Sequence, residues 1–464
     1  MKQQKVIIIG AGMAGVKTAL DLYKAGVLDT IILEARDRVG GRLVSHKSTK
    51  NAKLKYDFGA SWFHDALKNP LFEKAQKLGN IDYYFDDRKH VYVGKDSREI
   101  PLWKFESIVE EIGDYANLVF EENPSKKDIS LREICDEYLA KYDKHLNDDE
   151  KRYAKQVVRL WSELWDGISW EDMSAKQSSY QSGHYGRNAF VTNGFVNVFN
   201  NELNELPKWY LEHNIKLNTH VRSIDYSNPK MVTVTTASGE VYTADYLVST
   251  IPPSLLSLND PVDKCYVSWN PPLPQRFVDI WPDCSFGSLG KVVFEFDQSF
   301  WPKDIERFYV LADEVDSSGS VRPWQYPTLI VNYYALTGTP SLVCLTQEPV
   351  SRQIEKMSKE DIWKLFEPVI TQIANGPVRK PFQIYNTPWN GDEYTRGSYS
   401  ASRCGSVDNS VICDTLAGGV NDRVRFAGAE TIDGASNGCA HGAWFSGERE
   451  AQHILRHSKA LSKL

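Results

Sequence analysis

The stretch from Val6 to Gly15, VIIIGAGMAG, narrows the fold of this chain more than any other ten residues. Lys5 to Ile9 is short, β-branched and ended by glycine, which reads as a buried parallel strand. From Met13 the period changes: Val16, Ala19, Leu20 and Tyr23 share one helical face, and the pattern stops at Gly26. A second strand is expected over Thr30 to Leu33, ending in Glu34, 19 positions after Gly15. Strand, G-x-G-x-x-G turn, helix, strand and acid make a βαβ unit suited to a dinucleotide. Gly10 permits the tight turn, Gly12 lets the backbone approach a pyrophosphate, and Gly15 lets helix and strand pack closely. Ala14 lies at the helix start, whose unpaired N–H groups favour phosphate. Glu34 accepts hydrogen bonds from a ribose, and its charge repels a 2′-phosphate, so NADP is disfavoured.

The continuation LEARDRVGGRL separates NAD from FAD. Arg36, beside Ala35, and Arg42, beside Gly41, set two guanidinium groups where they can neutralise a diphosphate. A nicotinamide dehydrogenase does not need this second loop. Here the sequence resembles the flavin amine oxidase family, which carries E-A-R-D-R-x-G-G-R in this place, and the resemblance extends over nearly the whole chain. DFGASWFH (Asp57 to His64) is similar to the loop that runs beneath the flavin, bringing Gly59, Ala60 and Ser61 to the cofactor. HVRSI (His220 to Ile224) is similar to the strand whose Val221 backbone holds the adenine. ADYLVSTIPPSLL (Ala244 to Leu256) resembles the strand and turn that come back toward the cofactor. PWNGDEYTRGSYS and VRFAGAETIDGASNGCAHGAWFSGEREA resemble the segments that close the flavin pocket, with Trp389, Tyr394, Gly428 and Glu430.

The resemblance implies FAD as cofactor and a mixed α/β fold, a Rossmann-like βαβ domain interleaved with a substrate-binding domain. On that pattern residues 1–80, 195–262 and 371–464 form the FAD-binding domain, and 81–194 and 263–370 the substrate-binding domain. Pro124 to Trp170 reads as helical, and GSLGKVVFEF as a strand.

Composition restricts the partners. The 464 residues are 42% hydrophobic and carry a net charge of −7, which disfavours nucleic acid and mildly favours cationic ligands. Seven scattered cysteines show no metal-ligand spacing and read as reduced, buried thiols. No apolar run reaches membrane-spanning length, and the N-terminus reads as a strand, not a signal peptide. The chain stops at Ser462-Lys463-Leu464, which matches the address read by the peroxisomal import receptor, so peroxisomal residence is expected.

The chemistry expected from the resemblance is hydride transfer from a C–H bond beside nitrogen to flavin N5, with O2 as final acceptor and H2O2 as product. The reacting nitrogen must be neutral, because its lone pair stabilises the developing iminium ion. Lys291 sits in an apolar strand-like run, where a lysine is costly to bury unless something holds it. In the family a lysine of this motif holds a water at flavin N5 and assists reoxidation; otherwise Lys291 snorkels to solvent. Trp165 and Tyr399 match two aromatic positions that form a slot before the flavin; in an aromatic-rich chain they are otherwise core. Ser398 stands where monoamine oxidases carry the cysteine bonded to the flavin, so the flavin is expected to be non-covalent.

The match is nearest to fungal spermine and polyamine oxidases through His64, which can hydrogen-bond a neutral substrate nitrogen, and Asp87, which can pair with a distant ammonium. Asn188 and Leu289 match pocket-lining positions. A structural histidine and a solvated Asp86-Asp87 loop are the blander alternatives. Two departures stand out: Ala429 and Glu430 replace a common F-A-G-E, and His441 stands where a tyrosine is usual. The expected activity is oxidation of spermine or N1-acetylated polyamines. The alternatives are another amine or amino-acid oxidase, for which Arg187 is the one nominated carboxylate partner, and a flavoprotein that chiefly binds a steroid-like ligand.

Overall fold

The computed structural model describes residues 2–85, 89–100, 105–178, 185–313 and 321–461. The opening βαβ unit forms as its pattern dictates: the strand Lys2–Ile9, the helix Met13–Lys24 and the strand Thr30–Leu33. Val6 to Ile8 and Ile32 to Leu33 are fully shielded from solvent, which is why both strands read as unbroken apolar runs. They lie at the centre of an eight-stranded sheet. Lys2–Ile9 pairs in parallel with Val241–Ser249 on one side and with Thr30–Leu33 on the other. An antiparallel pair, Val221–Asp225 with Val232–Thr236, extends the sheet outward to Ser268–Asn270. The C-terminal helix Ala440–Leu461 lies along the first helix. Contact is close at Gly447, whose carbonyl accepts from the Thr18 hydroxyl at 3.1 Å.

A second, six-stranded sheet runs Gln383–Asn386, Gly290–Glu295, Ser341–Thr346, Thr328–Asn332, Arg307–Val310, His90–Val93. It is antiparallel except for the last pair. Ser268–Asn270 thus joins the large sheet and Gln383–Asn386 the small one, across the boundaries drawn at 262/263 and 370/371.

The strand Gly290–Glu295 is covered on both faces, and its period of two decides what each face meets. Val292 and Phe294 pack with Trp363 and Phe366 of the helix Lys359–Ile373. Val293 packs with Tyr56, Trp62 and Leu164 on the opposite side. Lys291 shares a face with Val293, and its ammonium reaches the loop Asp57 to Ser61.

A helical layer covers this face. The helices Leu131–Tyr142 and Asp148–Asp166 each begin with a capping box, Ser130 with Glu133 and Asn147 with Glu150. Asp148–Asp166 ends at Gly167 with φ +69°, a left-handed C-terminal residue that glycine adopts without strain. A Cβ there would meet the backbone of Ser288 and Leu289 at 2.9 Å, so glycine also lets the helix end butt against the turn before Gly290. That contact brings the helix end bearing Trp165 against the turn that leads into Lys291. No helix among the described residues is long and apolar enough to cross a membrane.

Candidate active site

Between the two sheets lies a cavity of about 1120 Å³. That exceeds the ~300–1,000 Å³ usual for one small ligand. Two groups of residues line it. The first gathers around the glycine turn, with Gly10, Gly12, Ala14, Glu34, Ala35 and Arg36, and across from them Val221 and Tyr394. The second holds His64, Trp165, Asn188, Leu289, Lys291 and Tyr399. Gly41, Arg42, Gly59, Ala60, Ser61, Trp389 and Gly428 line it as well.

The glycine turn discriminates between packing and ligand space. A Cβ on Gly10 would run into the Thr250 hydroxyl, and one on Gly15 into the carbonyl of Gly10. Gly15 therefore serves helix–strand contact and does not line the cavity. A Cβ on Gly12 would meet no atom within 4 Å. Protein packing does not require glycine there; room for a ligand does.

Glu34 is buried, and its two oxygens accept from the backbone N–H of Ala11 at 2.7 Å and of Arg36 at 2.9 Å. Each oxygen keeps lone-pair capacity for a ribose hydroxyl. Arg36 donates twice to Asp392, at 2.9 and 2.6 Å, with its guanidinium 4.9 Å from the Tyr394 ring centre. Burial works to raise the Asp392 carboxyl, but the Arg36 bonds outweigh it and hold Asp392 below the usual carboxylate range. Asp392 was legible in DEYTRG only as an acid near the pocket; its bidentate partner lies 356 positions away. Arg42 donates to the Ser398 carbonyl at 2.7 Å and pairs at 2.6 Å with Glu430, a buried carboxylate behind the lining. Ala429 lines the cavity where the motif departs from F-A-G-E.

In the second group Lys291, 4% exposed, donates to the carbonyls of Asp57 at 2.9 Å and Gly59 at 2.6 Å and to the Ser61 hydroxyl. Burial pushes its ammonium down to about 8, and the nearby Asp57 carboxylate opposes that fall. Burial in turn pushes Asp57 up, against the Ser45 hydroxyl, Lys291 and the Phe195 N–H. Asp57 opens DFGASWFH, where only its place at the head of the loop marks it in the sequence. Ser398 donates to the Leu289 carbonyl at 2.9 Å.

Tyr399 donates its hydroxyl to the Trp165 carbonyl at 2.5 Å, tying the two aromatics together. The His64 ring stands edge-on to Trp165 at 6.3 Å between centroids. His64 Nδ1 lies 3.0 Å from Asn188 Oδ1, an acceptor, so Nδ1 carries the hydrogen and Nε2 is the acceptor nitrogen of the neutral ring. Trp389 donates to the Phe58 carbonyl at 2.7 Å, pinning the same loop that Lys291 holds. Asp87, expected to pair with a distant ammonium, and Ser462 to Leu464 lie outside the described residues.

A dinucleotide cradle and a lysine–aromatic–histidine group opening on one cavity define a flavin-dependent oxidoreductase that acts on nitrogen-bearing substrates. The model of the flavin containing amine oxidoreductases matches residues 13–455, and the chain belongs to that family. It is 33% identical to the corticosteroid-binding protein of Candida albicans, over 98% of this chain and 96% of that one. It is 25% identical to probable polyamine oxidase 4 of Arabidopsis thaliana, over 98% of this chain and 88% of that one. A solved structure of putrescine oxidase, a variant from a redesign of cofactor binding, superposes with a TM-score of 0.73. It is 19% identical, with 98% of this chain and 99% of that one covered, a likeness of fold. FAD is the cofactor of this family, and the cradle around Gly12 and Glu34 fits it. Bound there, it supplies the two-electron acceptor that no side chain can be.

Proposed function

We propose that this chain oxidises polyamines, spermine and N1-acetylated polyamines first among them, at a C–H bond next to nitrogen. The amine gives up two electrons and two protons to become an imine, and water adds across the C=N bond. The adduct breaks into an aminoaldehyde and a shorter amine, and O2 takes the two electrons and two protons to leave as H2O2.

The observation that carries this reading is the grouping of Lys291, Trp165, Tyr399, His64 and Asn188 around one cavity with the Gly12 cradle. Trp165 and Tyr399 offer π faces to a chain with cationic character. His64 Nε2, an acceptor in the neutral ring, suits a nitrogen bearing a hydrogen. The reacting nitrogen must be neutral, whereas free amines titrate near ~10.4. A shielded site disfavours the charged form and so favours loss of that proton. Ser398 has no thiol, and the flavin is proposed to be held without a covalent bond.

The test is peroxide release and anaerobic bleaching of the yellow protein with spermine, N1-acetylspermine, spermidine and a monoamine. Bleaching with the polyamines in preference to the monoamine is expected. A yellow protein that none of them bleaches overturns the reading.

Amino-acid oxidation is the weaker alternative, because Arg187 is exposed, lies over the Phe85 ring at 4.0 Å and is not among the cavity lining. Arg36 and Arg42 already face carboxylates. A small-ligand binder is the second reading, favoured by the likeness to a corticosteroid-binding protein.

A further inference from the structure

The strand Trp62–Phe63 pairs antiparallel with Ala189–Val191, Trp62 opposite Phe190 and Phe63 opposite Ala189. Continued by one residue, that register sets His64 opposite Asn188, which is how the two side chains come within 3.0 Å. Three residues further the Leu67 N–H still reaches the Tyr185 carbonyl at 3.1 Å. Between these points Asp65 takes φ +56°, a left-handed backbone that aspartate enters more readily than most residues. The strand is thus turned aside directly after His64.

The Asp65 side chain spans this turn. Its Oδ1 accepts the Tyr185 N–H at 2.7 Å, on the segment leading into Asn188. Its Oδ2 lies 3.1 Å from Nε2 of His441, in the first turn of the helix Ala440–Leu461. An ionised carboxylate offers only acceptors, so Nε2 of His441 carries the hydrogen. Both residues are 3% exposed, which keeps water from substituting for the bond. Gly438, Cys439 and Ala440, just before His441, line the cavity. One carboxylate therefore joins the loop bearing His64, the segment bearing Asn188 and the helix start at the cavity wall.

We propose that Asp65 and His441 are positioning residues that hold His64 against Asn188. The proposal rests on the reading of His64 as a substrate contact. Without the His441 bond Asp65 keeps the Tyr185 link but loses its anchor to the C-terminal helix. The His64 ring, one residue away, then samples positions off its line to Asn188. A displacement near 1 Å costs about 100-fold in a rate that depends on alignment.

The experiment uses the flavin-loaded protein and the rate of anaerobic bleaching by spermine. His441→Phe keeps the ring and removes the donor; His441→Leu serves if the first does not accumulate folded. His441→Gln keeps an N–H donor at similar reach. His441→Phe is expected to slow bleaching by roughly 10- to 100-fold, with flavin content unchanged. His441→Gln is expected to restore most of the rate. In a His64→Ala background His441→Phe should cost nothing further, since residues acting through one contact are not additive. Equal losses in both backgrounds would overturn the proposal, as would full activity of His441→Phe. If the unaltered protein bleaches with no amine, the functional reading has failed, and a crystal structure of flavin-loaded His441→Phe decides the proposal. Retention of the 3.0 Å His64–Asn188 contact overturns it, and separation supports it.

Discussion

All three ammonium donors of Lys291 are spent on the Asp57–Ser61 loop, so a water held by this lysine requires that one of them be released. The charge of the amine is the larger lever. Reduction of O2 builds negative charge, which an ammonium in a shielded site stabilises strongly. Burial lowers the Lys291 ammonium to about 8, so the fraction charged falls as pH rises through that value. Reoxidation in air is therefore expected to be fast below pH 8 and to slow above it, and Lys291→Met to be slow and flat with pH. Stopped-flow mixing of the reduced protein with oxygenated buffer at several pH values checks this. A pH-dependent limb that survives in Lys291→Met would assign it elsewhere. Ser398, anchored to Leu289, gives a second expectation at this scale: acid precipitation should leave all of the yellow colour in the supernatant. Colour that stays with the pellet would mean a covalent link from some other residue.

The βαβ element allows fold and ligand to be separated by substitution. A Cβ on Gly15 runs into the Gly10 carbonyl, so Gly15→Ala should lower the melting temperature of the flavin-free protein. By the usual scaling a strain of ~1–3 kcal/mol would show as several degrees at most in a chain of this size. Gly12 is extended, at φ −81° and ψ −173°, with open space before it. Gly12→Val should therefore leave the flavin-free melt unchanged and abolish FAD binding by fluorescence titration. Equal destabilisation by both would contradict a ligand role for Gly12. This unit was legible because each of its signals is local: β-branched run, glycine spacing, helical period and acid lie within residues 5–34. The strand Gly290–Glu295 was legible for the same reason. What stayed hidden was pairing across the chain. Arg36 suggested a diphosphate, yet its nearest charge is Asp392, and His441 gave no sign of Asp65. Those partners are 356 and 376 positions apart, set by topology and by no local pattern.

At the scale of the whole molecule, both sheets and the helical layer contribute to a single cavity. The large sheet supplies the turn at Gly10 and Gly12, the small one Lys291, the helix Asp148–Asp166 Trp165, and the C-terminal helix its wall at Ala440 and Ala443. The volume of about 1120 Å³ gives room for substrate beside a dinucleotide. The lining at Trp165, Tyr399 and Leu289 is mostly apolar and suits a flat apolar ligand as well as an alkyl chain. The two functional readings thus converge on one space, and they are separable by kinetics. A corticosteroid that binds this chain in that space excludes the amine, so KM for spermine should rise with steroid concentration while kcat stays constant. Trp165→Ala should weaken steroid and amine together, because the face it removes is shared. Steroid that lowers kcat at saturating spermine would place it on another surface. Steroid binding that survives Trp165→Ala while amine oxidation collapses would do the same, and the cavity would then belong to the amine alone.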